Sequence, residues 1–273
     1  MKSIISMLRK LILSKLEKQQ HRYEQRGYNN LEKLYKVIRP GDVILVEGRS
    51  EMSRLIKLFT GSQWSHCALY VGNALVGGAG ATQNALVEKY GEDARHLMVE
   101  AFSGQGVIAA ALKKYEHHNI RICRPFGILE TDLNQVIDQV TGKLGMHYDD
   151  QNILAMAAMA LQAIFRPLNK LSLKACLGNC NDYQVICSGM LAQAFQHVGY
   201  PIVPAMTPRT YESSRKAQAA YDDTNPYGGG LIMRHYTQIT PGDFDLSPNF
   251  EIIKYNILGN VTFDYKSLWV EKL

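Results

Sequence analysis

The order of the periodic segments restricts this chain most: β-rich stretches crowd between Asp42 and Pro125, and helical periodicity takes over after residue 130. "DVILVE", "SHCALYVG", "LMVEAF" and "NIRICRP" are rich in residues that suit a pleated, half-buried surface, and each reads as a strand. Between the first two, "SEMSRLIKLFTG" offers Ser50 as an N-cap, apolar residues at Met52, Leu55, Ile56 and Phe59, and Gly61 as a stop, which predicts a short helix. The run is therefore β-α-β-β-β. Gly77 to Arg95 is small and polar, which predicts a loop between two strands bordering a site. Helical spacing then recurs in "TDLNQVIDQVTGKLG", "NILAMAAMALQAIF" and "CSGMLAQAFQHVG", the last closed by Gly199 and Pro201, and "LSPNFEIIKYN" reads as a final strand.

Composition narrows the class further. With 273 residues, 46% hydrophobic and 20% charged, the chain has enough apolar side chains for a sizeable core. Its five cysteines are an odd number spread along the whole length, which fits a reducing compartment better than a disulfide framework. In "MKSIISMLRKLILSKLEK", Ile4, Ile5, Leu8, Leu11, Ile12 and Leu16 recur at helical spacing, with Lys2, Arg9, Lys10 and Lys18 largely on the other side. Those charges interrupt any apolar stretch long enough for a signal peptide or a membrane span. The expectation is a cytoplasmic protein that can sit peripherally on an anionic membrane surface through residues 1–18. Residues 1–40 carry a net +7 and the remaining 233 a net −2, so the basic character is N-terminal and the body lacks a nucleic-acid-binding composition. Residues 1–36 read as a basic helical extension, and the folded body is expected to start near Val37.

Three residues carry candidate chemistry. Cys187 stands where a helix begins, so unpaired backbone N–H groups and the positive end of the helix dipole would stabilise a thiolate there. His66 opens the strand "SHCALYVG", and alternation puts it on the face opposite Cys67, which reads as core. Glu100 lies in the next strand, within reach of an imidazole on a neighbouring strand. A thiolate, an imidazole to carry its proton and a group to hold the imidazole are the parts of a cysteine hydrolase. The C-x3-C of Cys176 and Cys180, even with Cys187 and His197, is not a standard zinc spacing and has no second ligand pair, so no metal and no cofactor are expected.

The blocks "RPGDVILVEGRSEMSRLIKLFTGSQWSHCALYVG", "VEAFSGQGV", "LGMHYDD" and "ICSGMLAQAF", taken in that order, resemble the NlpC/P60 superfamily. The resemblance is to its circularly permuted papain-like branch, the YiiX/YaeF-like group related to lecithin:retinol acyltransferases. In unpermuted members the cysteine motif comes first, whereas here the histidine block precedes it. The resemblance implies an α+β permuted papain-like fold, an antiparallel sheet packed on helices, over residues 37–273. It makes Cys187 the nucleophile, His66 the general base and Glu100 the orienting group. Tyr148 is then the residue lining the oxyanion site, with Trp64, Ser65 and Ser188 as further substrate-side candidates. Residues from about 151 to 182 form an insertion relative to the family pattern. Its apolar run 153–165 is too short to cross a bilayer and reads as a core helix or a cap over the site. The function implied is a thiol hydrolase acting on an amide, ester or thioester of a peptide, isopeptide or acyl-lipid substrate. The rivals are a lipid acyltransferase or phospholipase of the same fold and a catalytically idle, membrane-associated binding module.

Overall fold

A computed structural model describes residues 18–19, 23–77, 80–102, 105–146, 187–203 and 233–256. Within them one six-stranded antiparallel sheet organises the chain, in the order β4-β3-β2-β1-β5-β6. The strands are β1 Val43–Val46, β2 His66–Gly72, β3 Leu97–Phe102, β4 Gly106–Ala111, β5 Ile120–Pro125 and β6 Phe250–Ile253. The helices are α1 Leu31–Val37, α2 Glu51–Thr60, α3 Ala81–Tyr90, α4 Glu130–Thr141, α5 Cys187–His197 and α6 Pro241–Leu246. This is the α+β arrangement, helices packed on an antiparallel sheet, that the sequence resemblance implies.

Both faces of the sheet are covered, which is why β1 reads as an unbroken apolar run rather than an alternating one. On one face Val43, Leu45, Cys67, Leu69, Val99 and Cys123 meet Val136 and Val140 of α4 and Cys187, Met190, Leu191 and Phe195 of α5. On the other, Ile44, Ala68, Tyr70, Met98 and Ile122 are closed over by Leu34 of α1 and by Ile38. Local signals act as expected at the helix ends. The Ser50 hydroxyl accepts from the Ser53 amide at 3.1 Å, and Gly61 ends α2 in the left-handed conformation at φ 62°.

Three elements differ from the sequence reading. The stretch Gly77 to Arg95 is not a plain loop: it contains α3 and a 3-10 turn, Gly91–Arg95, because Ala81, Ala85, Leu86, Glu88 and Lys89 are good helix formers between Gly80 and Gly91. A further strand, β4, pairs with β3 along its whole length, and its alanines hid it from a β-propensity reading. The body also begins before Val37. The helix α1 crosses the expected boundary, and Asn29, 4% exposed, donates to the carbonyls of Tyr115, Glu116 and His118 at 3.1, 2.8 and 2.7 Å. Its side-chain oxygen accepts from the Tyr255 hydroxyl at 2.5 Å. All but the last residue of the expected amphipathic helix of residues 1–18, the 151–182 insertion and its apolar run, Cys176 and Cys180 lie outside the described residues. Among the described residues no helix is long and apolar enough to cross a membrane.

Asn29→Ala should lower stability by about 2–4 kcal/mol, since it strands several buried backbone carbonyls and a tyrosine hydroxyl. Urea unfolding checks it. A loss under about 0.5 kcal/mol, the range of a surface change, would mean that residues 23–36 are not part of the cooperative unit.

Candidate active site

The antiparallel register builds half of the site. Leu69 faces Val99 and Tyr70 faces Met98, so continuing the ladder sets Glu100 diagonally across from His66 on the same sheet face. There His66 Nε2 lies 2.7 Å from Glu100 Oε2. Glu100 is fully buried, an arrangement that carboxylates tolerate only when their oxygens are occupied. They are: besides the ring nitrogen, the Tyr115 hydroxyl donates to Oε2 at 2.5 Å and Lys114 Nζ to Oε1 at 2.6 Å. The Phe102 ring stands edge-on to His66 at 5.9 Å and lies 4.2 Å beneath the Lys114 ammonium. Burial alone would raise the Glu100 pKa, but the hydrogen bond and charge of His66 and those of Lys114 outweigh it and hold the carboxyl at about 2.

The other half is the start of α5. Cys187 is its first residue and is 7% exposed, anchored by the fully buried Met190 and Leu191. Its pKa is driven well below the ordinary thiol value, first by a hydrogen bond from the Cys67 thiol, then, against burial, by the charge and hydrogen bond of His66 and by the Cys67 backbone amide. Unpaired first-turn amides of α5 act in the same direction. His66 responds in kind. Burial pulls its pKa down, but the negative sulfur of Cys187 and then Glu100 push it up, to about 10. These opposed shifts favour a thiolate–imidazolium pair, with Nε2 engaged by Glu100.

Cys67 is core as expected, on the face opposite His66, yet that face is the one α5 covers. The thiol thus meets Cys187 instead of lying remote from it. Burial and the adjacent thiolate keep it protonated, its pKa well above the usual value. Burial likewise raises Cys123.

The substrate-side candidates scatter. The Trp64 indole donates to Asp245 at 2.8 Å, and Arg121 stacks 5.2 Å above its ring. The Ser65 hydroxyl accepts from the Gly48 amide at 2.9 Å. Ser188 is buried beside Cys187 in the first turn of α5, and Tyr148 lies outside the described residues. Sequence reasoning missed Lys114 and Tyr115. They sit in a 3-10 turn, Leu112–Tyr115, directly after the unrecognised β4, so placing them required knowing that a strand came first. Among the described residues no group of three histidine, cysteine or acidic side chains is arranged to hold a metal ion.

Residues 37–155 match the family described as permuted papain-like amidase enzyme, YaeF/YiiX, C92 family. That segment is similar to the permuted papain-like amidases; the match holds His66 and Glu100 and ends ahead of Cys187. The crystal structure of the metalloprotein yiiX from Escherichia coli O157:H7 aligns with 80% of this chain and 97% of its own, at 17% identity and a TM-score of 0.46. A search of curated proteins returns no significant match.

Of Cys67, Cys123 and Cys187, Cys187 should be alkylated first by limiting iodoacetamide at about pH 6, where ordinary thiols are protonated. Peptide mapping checks the order. Labelling of Cys67 ahead of Cys187 would contradict the described electrostatics.

Proposed function

We propose that the chain is a thiol hydrolase in which Cys187 attacks the carbonyl carbon of an amide bond, with His66 as acid and base and Glu100 as the group that orients the imidazolium. The observation that carries this reading is the 2.7 Å bond from His66 to a fully buried Glu100, with the Cys187 sulfur against the same ring.

The steps follow from the resting pair. The thiolate adds to the carbonyl, and the amides at the head of α5 are suited to receive the oxyanion. The imidazolium gives its proton to the departing amine, leaving an acyl thioester on Cys187 and a neutral His66. His66 then takes a proton from water, the resulting hydroxide attacks the thioester, and the acid departs as the thiolate–imidazolium pair reforms. The placement of Ser188 beside Cys187 suits a supporting role there. Trp64 and Ser65 serve better as scaffold, since Asp245 and Gly48 engage their polar atoms. A buried, ionised glutamate held against a histidine is costly to keep in an idle binding module, which favours the catalytic reading.

Purified protein tested on peptide, isopeptide and acyl-ester substrates should hydrolyse one class, and Cys187→Ala should abolish that turnover. His66→Ala should lower it by about 10²–10⁴-fold without unfolding the chain, and Glu100→Gln should retain partial activity. Near-normal turnover in His66→Ala would remove the assignment. The pH profile of kcat/KM should be flat through neutrality and fall on the alkaline side as His66 loses its proton, with an apparent value near the ring's own of about 10. A fall centred near the ordinary histidine value of about 6.5 would mean that no ion pair forms.

A further inference from the structure

Glu100 has more partners than an orienting carboxylate needs. One oxygen is shared between His66 and Tyr115, and the other is taken entirely by Lys114. The lysine is the one member of this group with substantial exposure, 36% of its side chain, and it reaches inward with its ammonium over the Phe102 ring at 4.2 Å and the Tyr115 ring at 5.2 Å. An ammonium with ready access to water does not leave it for a buried carboxylate without purpose, and here the purpose is visible in the charge count. Cys187, His66, Glu100 and Lys114 alternate in sign as thiolate, imidazolium, carboxylate and ammonium, so the buried set is neutral only with the lysine included.

We propose that Lys114, with Tyr115, is a positioning residue that fixes the charge and orientation of Glu100 and, through it, sets how firmly His66 holds its proton against Cys187. The proposal rests on the reading of Cys187 and His66 as nucleophile and base. Without the ammonium, the carboxylate would turn its full charge on His66 alone and the ring would bind its proton more tightly. The sulfur would at the same time meet the uncompensated charge of Glu100 across the ring. Both changes move titration upward: the acid limb rises because the thiolate is less favoured, and the alkaline limb rises because the imidazolium is more favoured.

The other ionisable groups facing this set do not reverse the sign. Cys67 stays a neutral thiol, and Tyr115 is held protonated by burial and by Glu100. His118, edge-on to Tyr115 at 5.2 Å, is lowered to about 4 by burial and by Arg49, Lys114, His117 and His66, so it is neutral over all but the acid end of the range. Losing Lys114 removes one of those cations without giving His118 an anionic partner.

The rate of Cys187 alkylation by iodoacetamide, followed from about pH 4 to pH 9 on the full chain, tests this without a substrate. Lys114→Met should move the acid limb up by about one unit, read as about tenfold slower labelling below the limb, and Lys114→Arg should restore the profile. Lys114→Gln, which keeps a donor but no charge, should shift it in the same direction and serves if the methionine variant does not fold. In a Glu100→Gln background, Lys114→Met should change the rate less than twofold, because the lysine then has no carboxylate to act through. An unmoved limb in a folded Lys114→Met or Lys114→Gln protein, or an undiminished shift in the Glu100→Gln background, overturns the positioning role. If Cys187 is not the fast cysteine in the parent protein, the nucleophile assignment itself has failed, and the two failures are thereby told apart.

Discussion

A carboxylate with no access to water sits in the middle of this structure, and much of the architecture around it is explained by the need to keep Glu100 satisfied. An unpaired charge at that depth would cost several kcal/mol or would simply protonate. The sheet delivers one donor by register, His66 from β2, and the turn after β4 delivers two, Lys114 and Tyr115. Remove the β3–β4 hairpin and the turn is no longer aimed at the carboxylate. Shift the β2–β3 register by one residue and His66 changes faces relative to Glu100. The charge therefore ties three separate segments, β2, β3 and the turn after β4, to one arrangement, a demand that apolar packing, which tolerates substitution of similar volumes, would not impose.

The second constraint is that two consecutive residues of β2 serve the same sulfur from opposite sides of the sheet. His66 belongs to the face closed by α1, and Cys67 to the face closed by α4 and α5. Strand geometry forbids both from pointing at one object in the middle of a sheet. At the strand's first residue, however, the ladder with β1 has reached its last pair, Val46 with His66, and a helix terminus at this rim can be met by the ring, the neighbouring thiol and the Cys67 amide together. Cys187 thus gains a charge, a thiol donor and a main-chain donor from two adjacent residues.

How much of this was legible in the sequence follows from the range of the forces involved. Ser50, Gly61 and Gly199 act within one turn of themselves, and their roles were readable because capping chemistry is local. The alternation of His66 and Cys67, and the assignment of Glu100 to the next strand, needed only a period of two. What escaped required knowledge of distant partners. Asn29 looks like any polar loop residue until the Tyr115–His118 carbonyls are placed beside it. Lys114 looks like a solvated basic residue until β4 is known to pair with β3. Cys67 was readable as core, but that its core face is also the Cys187 face depends on where α5 docks, and nothing local to "SHCALYVG" specifies that.

These gaps share a physical origin, and it bears on how the site works. In the proposed mechanism His66 takes up and returns a proton in each cycle, and such a group cannot be tied too strongly in either state. Cys187 and Glu100 both stabilise His66 as the imidazolium, and a ring bound only to two full negative charges would surrender its proton reluctantly to a departing amine. Spreading the Glu100 charge over three donors weakens its hold on Nε2 while still fixing the ring's plane and tautomer. The residues proposed to do this moderating bond to the carboxylate, so they fall outside any motif built from nucleophile and base. They come instead from the turn that the fold happens to place behind the carboxylate. In this chain, where the histidine strand precedes the cysteine helix, that turn is also synthesised before Cys187. The buried half of the site, His66, Glu100, Lys114 and Tyr115, is thus encoded in a single stretch of about fifty residues whose hairpin contacts are mostly local in sequence, and that locality favours early pairing of the strands.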